Sequence, residues 1–297
     1  MKHLLISLIC TSLFSFAGNE ANITRSVEVV NTTPTLTSIT LESNATTVNV
    51  GDTVQLTVTG TYSDGNSATV DENITYTINP AENAEVNGSV LRAKKDGKVT
   101  VQASIDGVNS NTIALNITWV VNGHVLPPEP DPVLNNATLL GIDVNNNGVR
   151  DDVERYIYER FGKDPEYPKT KIALAMQDAW ATQKILETPT IESKKYLDDA
   201  IDCQFYWFDK KNKVINDEII ELASTDFDQA YELDKQVIIW ERKNKVFNDI
   251  KLKDMKLNTK ERILRKFKFN EACSGHIFRG RKESIENCQT NIDTLGE

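Results

Sequence analysis

The chain has 297 residues, a formal net charge of −10 and 26% charged residues. At roughly 100–200 residues per domain, this length predicts two domains. The acidity excludes a general nucleic-acid binder, and a hydrophobic fraction of 39% excludes global disorder. The charge is uneven, since residues 18–133 carry 13 Asp and Glu against 5 Lys and Arg, whereas residues 134–297 carry 30 against 27. The two halves are therefore expected to be different kinds of domain.

The N-terminus has the pattern of a secretory signal peptide. A basic start at Lys2 precedes an apolar run over 4–16 and a small-x-small site that ends at Ala17. The run is too short to span a bilayer, and no later segment is long and apolar enough to do so. Cys10 raises a lipoprotein alternative, but bulky Ile9 stands where that signal needs a small residue. We expect a signal peptide at 1–17, a flexible leader at 18–34 and a periplasmic, cell-surface or secreted protein.

The next segment alternates apolar and polar residues with a period of two, which is typical of strands with one buried face. The clearest apolar positions are Val54, Leu56, Val58, Val99, Val101, Ala103, Ile105, Ile113, Leu115 and Ile117. Asp-Gly and Asn-Gly pairs, such as Asp106-Gly107, punctuate these runs as turn signals. About seven short strands in about 85 residues predict an all-β sandwich.

Several of these strands resemble the bacterial Ig-like group 2 (BIG2) family. The similarity is carried by SITL at 38–41, VGDTVQL at 50–56, TYSDG at 61–65, NITY at 73–76 and DGKVTV at 96–101. One departure is Tyr76, where the family commonly has tryptophan, although an aromatic ring remains available for the core. The resemblance covers 35–118 and implies an immunoglobulin-like sandwich in an exported or surface protein, often an adhesin. It implies a spacer or a binder, and it does not imply catalysis.

A proline-rich linker follows at 119–142, with Pro127, Pro128, Pro130 and Pro132. Proline removes backbone donors and favours extended backbone, so we expect a semi-rigid spacer between the domains.

Residues 143–154 match the calcium loop of EF-hands at every specified position. Calcium takes six to eight oxygen ligands, and alternate residues of such a loop supply them. Gly148 would allow the sharp turn. The expected ligands are Asp143, Asn145, Asn147, the carbonyl of Val149, Asp151 and Glu154.

Two features depart from an EF-hand. Position 8 is Arg150 instead of an aliphatic residue, and the proline-broken segment before the loop is not an incoming helix. A loop with only an outgoing helix is closer to the calcium loops of dockerin and thrombospondin type 3 repeats. The alternative is an Asn/Asp-rich turn whose acids cap the helix over 151–161. In the calcium interpretation, the ion is structural and orders the junction between the domains.

From 151 to 297 the apolar residues follow a helical period, which predicts a mostly α-helical domain of five or six helices. Three stripes carry the pattern: Val153, Tyr156, Ile157 and Phe161; Ile172, Ala175, Met176, Ala179 and Trp180; Leu233, Val237, Trp240 and Phe247.

Three cysteines remain after removal of the signal peptide, and an exported protein favours disulfides. Cys273–Cys288 is the preferred bond because it closes a short loop, and Cys203–Cys273 is the rival. A zinc site is a less favoured alternative, in which C-x-x-H at Cys273 and His276 would be completed by Cys203 and Cys288.

A basic stretch at 251–282 carries 11 Lys and Arg against 3 Asp and Glu. It could bind an anionic partner, or it could be the solvated face of a helix whose Ile263, Leu264 and Phe267 are buried.

No catalytic motif is present, so the protein is not expected to be an enzyme, although Asp198, Asp199 and Asp202 could perform acid–base chemistry. The sequence predicts an exported bacterial binding or adhesion-type protein, with an Ig-like spacer and a calcium-stabilised helical domain. Its partner would be a surface protein, a glycan or an envelope polymer and not nucleic acid. Alternatives are an exported hydrolase with its active site in the helical domain and a structural protein that binds envelope polymer.

Overall fold

A computed structural model of the protein describes residues 33–278 and 281–296. The predicted signal peptide, Cys10 and most of the predicted leader lie outside these residues. A β-sandwich region over 36–125 is followed by a helical region over 132–273. The predicted fold class, an all-β sandwich followed by an α-helical domain, is confirmed.

The β-region has eleven strands among the described residues. They are β1 (Leu36–Ser43), β2 (Thr47–Asn49), β3 (Thr53–Tyr62), β4 (Ser67–Val70), β5 (Thr75–Asn79), β6 (Ala84–Asn87), β7 (Val90–Ala93), β8 (Gly97–Ile105), β9 (Val108–Thr118), β10 (Val120–Val121) and β11 (His124–Val125). One sheet has the order β1-β3-β7-β6, with β4 also paired to β3, and the second has the order β2-β9-β8-β5. Strands β10 and β11 form a small antiparallel hairpin in the segment after the sandwich.

The period-two pattern places the core between the two sheets. Val54, Leu56 and Val58 of β3 are each 1% exposed, and the residues between them face solvent. Tyr76 packs against the same core from β5. Asp106 and Gly107 both have positive φ, 49° and 84°, which is the backbone of the tight turn predicted between two antiparallel strands.

The helical region begins with a short helix, and six longer helices follow in the described chain. They are α1 (Pro132–Asn136), α2 (Asp151–Phe161), α3 (Pro168–Glu187), α4 (Lys194–Leu222), α5 (Phe227–Asn244), α6 (Ile250–Lys256) and α7 (Lys260–Cys273). Single 3-10 turns lie at Ile191–Ser193, Val246–Asn248, Ile285–Asn287 and Ile292–Thr294.

A second core lies inside this region. The predicted stripe of α2 buries Val153, Ile157 and Phe161 against apolar residues of α3 and α4. Trp207 of α4 and Trp240 of α5 pack together with a distance of 5.4 Å between ring centroids. Across the residues that the structure describes, no helix has the length and apolar character needed to cross a membrane.

The disulfide joins Cys203 to Cys288, so both pairings expected from the sequence are wrong. The reason is the path of the C-terminal segment, which lies against α3 and α4. Gln177 donates to the carbonyl of Asn287 at 2.7 Å and accepts from the N–H of Gln289 at 3.1 Å, which places Cys288 beside α4. Cys273 ends α7 as a half-buried free thiol. The bond takes two of the four ligands that the zinc alternative requires.

Helix α7 faces the opposite way from the sequence-based expectation. Ile263, Leu264 and Phe267 are 42%, 50% and 63% exposed, so the prediction that they are buried is wrong. Arg262 and Phe269 are buried instead. The helix packs through the face that carries Arg262, because this guanidinium binds the segment before the acidic loop, as described below.

Candidate metal centre at the domain junction

Residues 143–154 form a closed loop that leads directly into α2. The N–H of Asp151 donates to the carbonyl of Ile142 at 2.8 Å and joins the two ends of the loop. Gly148 has a φ of +83°, and a Cβ at this position would lie 2.6 Å from Cδ1 of Trp180. Both the left-handed backbone and the close ring require glycine here. The sharp turn predicted at position 6 of the loop is present.

Several side chains of the loop form hydrogen bonds within it. The Nδ2 atoms of Asn145 and Asn147 both donate to Oε2 of Glu154, at 3.0 and 2.7 Å. The carboxylate of Asp143 accepts the N–H of Asn147 at 3.2 Å and the N–H of Gly148 at 2.8 Å. The side chains at positions 3 and 5 thus converge on Glu154 at position 12, while Asp143 at position 1 accepts backbone N–H groups of the same loop.

The loop concentrates buried negative charge. Asp151 and Glu154 are both 0% exposed, and Asp151 accepts the N–H of Val144 at 3.1 and 3.3 Å. Burial raises the pKa of Asp151 to about 6; the hydrogen bond from Val144 opposes this rise, while the nearby carboxylates of Asp143 and Glu154 add to it. A cation at this centre would favour the ionised carboxylate, because opposite charge offsets the cost of burial.

Arg150 does not neutralise the loop, although it occupies position 8. Its guanidinium is buried and donates to both carboxylate oxygens of Asp152, at 2.6 and 3.2 Å, and to the carbonyl of Met255 at 2.5 Å. The aliphatic residue one place earlier, Val149, is buried in the helical core. The departure from the EF-hand pattern therefore ties the loop to α6 and leaves the inward carboxylates without a guanidinium.

His124 is a partner of the loop that the sequence did not reveal. Its Nε2 lies 2.7 Å from Oε1 of Glu154, and its ring stacks on Tyr158 with centroids 4.4 Å apart. The residue comes from β11, 30 positions before Glu154 in the sequence. A single histidine in a linker carries no spacing pattern, so only the fold brings this pair together.

The residue types of the loop suit calcium, since they offer carboxylate, amide and carbonyl oxygens. In this structure the amide oxygens of Asn145 and Asn147 accept the N–H groups of Asn147 and Val149. In the described part of the chain, no three His, Cys, Asp or Glu side chains are close enough together to hold a metal ion. A calcium site would therefore depend on the amide oxygens of Asn145 and Asn147 and on the carbonyl of Val149, in addition to the carboxylates. Calcium binding stays a prediction.

Helix capping alone does not explain this geometry. The N-cap residue of α2, Arg150, makes no side-chain cap hydrogen bond, and Asp151 accepts from Val144 in the loop. Acids in the first turn do complement the helix dipole. Capping gives no reason for two asparagines to converge on Glu154.

The residue after Glu154 fixes α2 to the sandwich. Arg155 is 5% exposed and donates to both carboxylate oxygens of Asp96, at 2.7 and 2.9 Å. It also donates to Glu129 at 2.6 Å and to the carbonyl of Pro127 at 2.8 Å, and its guanidinium lies 4.8 Å from the centre of the Trp119 ring. We call this set of contacts the Arg155 latch. It joins the β-sandwich, the linker and the helical domain in one buried cluster.

A second buried arginine fixes the segment just before the loop. Arg262 of α7 is 0% exposed and donates to the carbonyls of Asn135, Thr138 and Leu139, at 2.8, 3.2 and 2.9 Å. Its NH1 donates to the side chains of Asn136 and Asn258. Burial lowers the pKa of Arg262 to about 10, and the nearby charge of Arg150 acts in the same direction. The proline-rich linker is thereby held against the helical domain at this end.

The carboxylates considered for acid–base chemistry lie on α4, away from the loop. Asp198 forms an ion pair with Lys194, while Asp199 and Asp202 both pair with Arg281. Burial raises the pKa of Asp202. The absence of catalysis stays a prediction.

Comparison with known proteins supports the assignment of the first domain. Residues 35–114 match the family described as Bacterial Ig-like domain (group 2). An Ig-like domain of this family fits a cell-surface or exported protein. No curated protein matches the chain.

Two solved structures of a surface-layer protein show a limited likeness. Domains 4 and 5 of the S-layer protein SbsC are 19% identical, with a TM-score of 0.25, and the match covers 29% of this chain and 53% of that one. Domains 1–6 of the same protein are 18% identical, with a TM-score of 0.25, and the match covers 30% of this chain and 14% of that one. Nothing about function follows from likenesses of this extent. The family match alone identifies residues 35–114 as a bacterial Ig-like domain of group 2.

Proposed function

We propose that this protein is an exported binding or adhesion-type protein of the bacterial cell surface. In this proposal the Ig-like domain is the spacer and the helical domain is the part that meets the partner. Calcium would be held by Asp143, Asn145, Asn147, Asp151, Glu154 and the carbonyl of Val149. Its role would be structural, because the loop stands between the two domains and leads directly into α2.

One observation carries this proposal: of two consecutive residues of α2, the first contacts the loop at 143–154 and the second contacts the β-sandwich. Glu154 receives the hydrogen bonds of the loop, and Arg155 binds Asp96 of the sandwich. Ordering the loop would fix the first turn of α2 and with it the Arg155 latch. If the junction is already rigid, less conformational entropy is lost when the binding domain of a surface protein associates with a large partner.

The test is retention of the full mature chain on envelope fractions of the parent bacterium, with 5 mM calcium or with a chelator. We expect retention in calcium and a loss of at least tenfold in chelator. Asp143→Asn combined with Glu154→Gln should reproduce that loss in calcium. Glu159→Gln is the matched control, because Glu159 is an exposed acid on the same helix.

Two results would contradict the proposal. One is the absence of any retained envelope component in calcium. The other is retention that neither the chelator nor the loop variant changes, because binding would then be independent of the junction.

A further inference from the structure

The hairpin of α4 and α5 extends beyond the core of the helical domain. That core includes Phe208 of α4 and Trp240 of α5, but among the described residues it has no member at 209–239. Three residues of this stretch are buried: Asn212, Ala230 and Val237. The two helices pack on each other here. A pair of helices buries only part of its apolar surface, so another element is needed to cover the rest.

An apolar stripe on α5 faces solvent. Phe227, Tyr231 and Ile238 are 70%, 52% and 38% exposed, and we call these three residues the α5 stripe. Spacings of four and seven residues place them on one face of the helix. The rings of Phe227 and Tyr231 stack with centroids 6.3 Å apart. Arg242, also exposed, continues the face one turn after Ile238. An exposed apolar face with charged residues at its border is typical of an interaction surface.

The far end of the hairpin is strongly acidic. Residues 214–234 contain seven Asp and Glu and no Lys or Arg. Asp217 and Glu232 pair with neighbouring lysines, and Asp226 caps α5. The other four carboxylates are exposed and form no salt bridge within the described chain: Glu218, Glu221, Asp228 and Asp234.

The opposite end of α5 is basic. It borders a cleft between α2, α5 and α6 that is lined by six cationic side chains: Arg160, Lys171, Arg242, Lys243, Lys245 and Lys251. Two carboxylates share the lining, and each already accepts a hydrogen bond there, Asp164 from Lys171 and Asp249 from Tyr156. Arg242 and Lys251 form no salt bridge with the residues that the structure describes. The hairpin thus carries opposite charge at its two ends, with the α5 stripe between them.

The acidic end cannot reach the basic cleft of its own chain. Phe227 and Arg242 lie fifteen positions apart on one continuous helix, which is about 22 Å along its axis. A second copy turned end over end brings the two charged ends together twice. With a two-fold axis beside residues 234–235, Tyr231 of one copy lies opposite Ile238 of the other. A parallel pair would instead set acid against acid.

We propose that the protein forms a two-fold dimer in which the α4–α5 hairpins of two copies pair antiparallel. The α5 stripes pack together, and the acidic end of each hairpin lies against the basic cleft of the other copy. One self-complementary surface serves both subunits, as in most homodimers. Two paired hairpins make four helices that share one apolar layer. This inference goes beyond the proposed function and does not depend on calcium in the loop.

The test is sedimentation equilibrium of the full mature chain, in calcium, at roughly 1–100 μM. We expect a monomer–dimer equilibrium with no larger species. Tyr231→Ala combined with Ile238→Ala should raise the dissociation constant of the dimer at least tenfold, because both residues lose their contacts in the interface. Val214→Ala is the control, since Val214 is 79% exposed on α4 and lies outside the α5 stripe.

A charge exchange tests the antiparallel orientation. Asp228 and Arg242 are fourteen positions apart, roughly four turns, so they lie on the same side of α5 and about seven positions from the two-fold axis. Asp228→Arg alone, or Arg242→Asp alone, sets like charges against each other twice and should weaken the dimer at least tenfold. An equal mixture of the two variants restores both pairs and should form a 1:1 heterodimer. That recovery also shows that both variants are folded.

Reversal of exposed charges on the sandwich provides the matched control. Glu72→Arg and Lys98→Asp change the same charges outside the hairpin and should leave the dissociation constant of the dimer unchanged.

Four results would overturn the inference. They are a wild type that stays monomeric at the highest concentration, open-ended polymers in place of a dimer, and a mixture of the charge variants that does not associate. The fourth is an equal effect of the hairpin and control variants.

Discussion

Replacing Arg262 by alanine is expected to lower the free energy of unfolding of the helical domain by about 3 kcal/mol, since several buried hydrogen-bonding groups lose their partner at once. The guanidinium binds three carbonyls of the segment 135–139 and two asparagine side chains. Water can replace some of these bonds only if α7 moves away from the linker. Urea unfolding followed by tryptophan fluorescence measures the effect, because all four tryptophans lie at the junction or in the helical domain.

Lys268→Ala provides the control for Arg262→Ala. Lys268 lies on the exposed side of the same helix, so its replacement should change the free energy of unfolding by less than about 0.5 kcal/mol. Equal urea midpoints for the two variants would show that Arg262 does not hold the linker.

The second large effect is expected at the Arg155 latch. Removal of one partner of a buried ion pair leaves an uncompensated charge, which typically costs about 3–5 kcal/mol. Arg155→Ala leaves the 8% exposed carboxylate of Asp96 without its arginine and should destabilise the junction by this order of magnitude, whereas Asp96→Ala should cost less, because Arg155 keeps Glu129 at 2.6 Å. The double variant should cost little more than Arg155→Ala alone, because the interaction between Arg155 and Asp96 is already lost in that variant. Urea unfolding in calcium, followed by tryptophan fluorescence, gives the free energies of unfolding of the wild type, the two single variants and the double variant. These four values form a double-mutant cycle.

An exposed ion pair of the sandwich serves as the reference for the double-mutant cycle of Arg155 and Asp96. Lys94 and Glu85 are separated by 3.3 Å, with side chains 49% and 54% exposed, so their alanine variants should differ from wild type by about 0.5 kcal/mol or less. Strictly additive effects of Arg155→Ala and Asp96→Ala would contradict a direct link between the domains.

Local patterns predicted much of the fold because each depends on residues close in sequence. The alternation of Val54, Leu56 and Val58 specified the buried face of β3. The period of the apolar residues after the loop predicted a helix over 151–161, the bounds that α2 has.

Contacts between distant segments could not be predicted from such patterns. Cys203 meets Cys288 because the C-terminal segment crosses α3 and α4, and no spacing rule encodes that path. His124 reaches Glu154, and Arg155 reaches Asp96, only after the linker has folded against α2. The wrong prediction for α7 also results from a contact between distant segments, that of Arg262 with the linker. In the sequence Arg262 is one more charge in a basic stretch, so the apolar residues of the helix were expected to be the buried ones.

Calcium titration of the mature chain by calorimetry tests the central claim most directly. We expect one calcium ion per chain, with a Kd on the order of 10⁻⁴ M, typical of extracellular modules. Glu159→Gln should bind as wild type does, whereas Asp143→Asn with Glu154→Gln should bind no calcium. Absence of binding by the wild type, or unchanged binding by the loop variant, would contradict a calcium-ordered junction at 143–154.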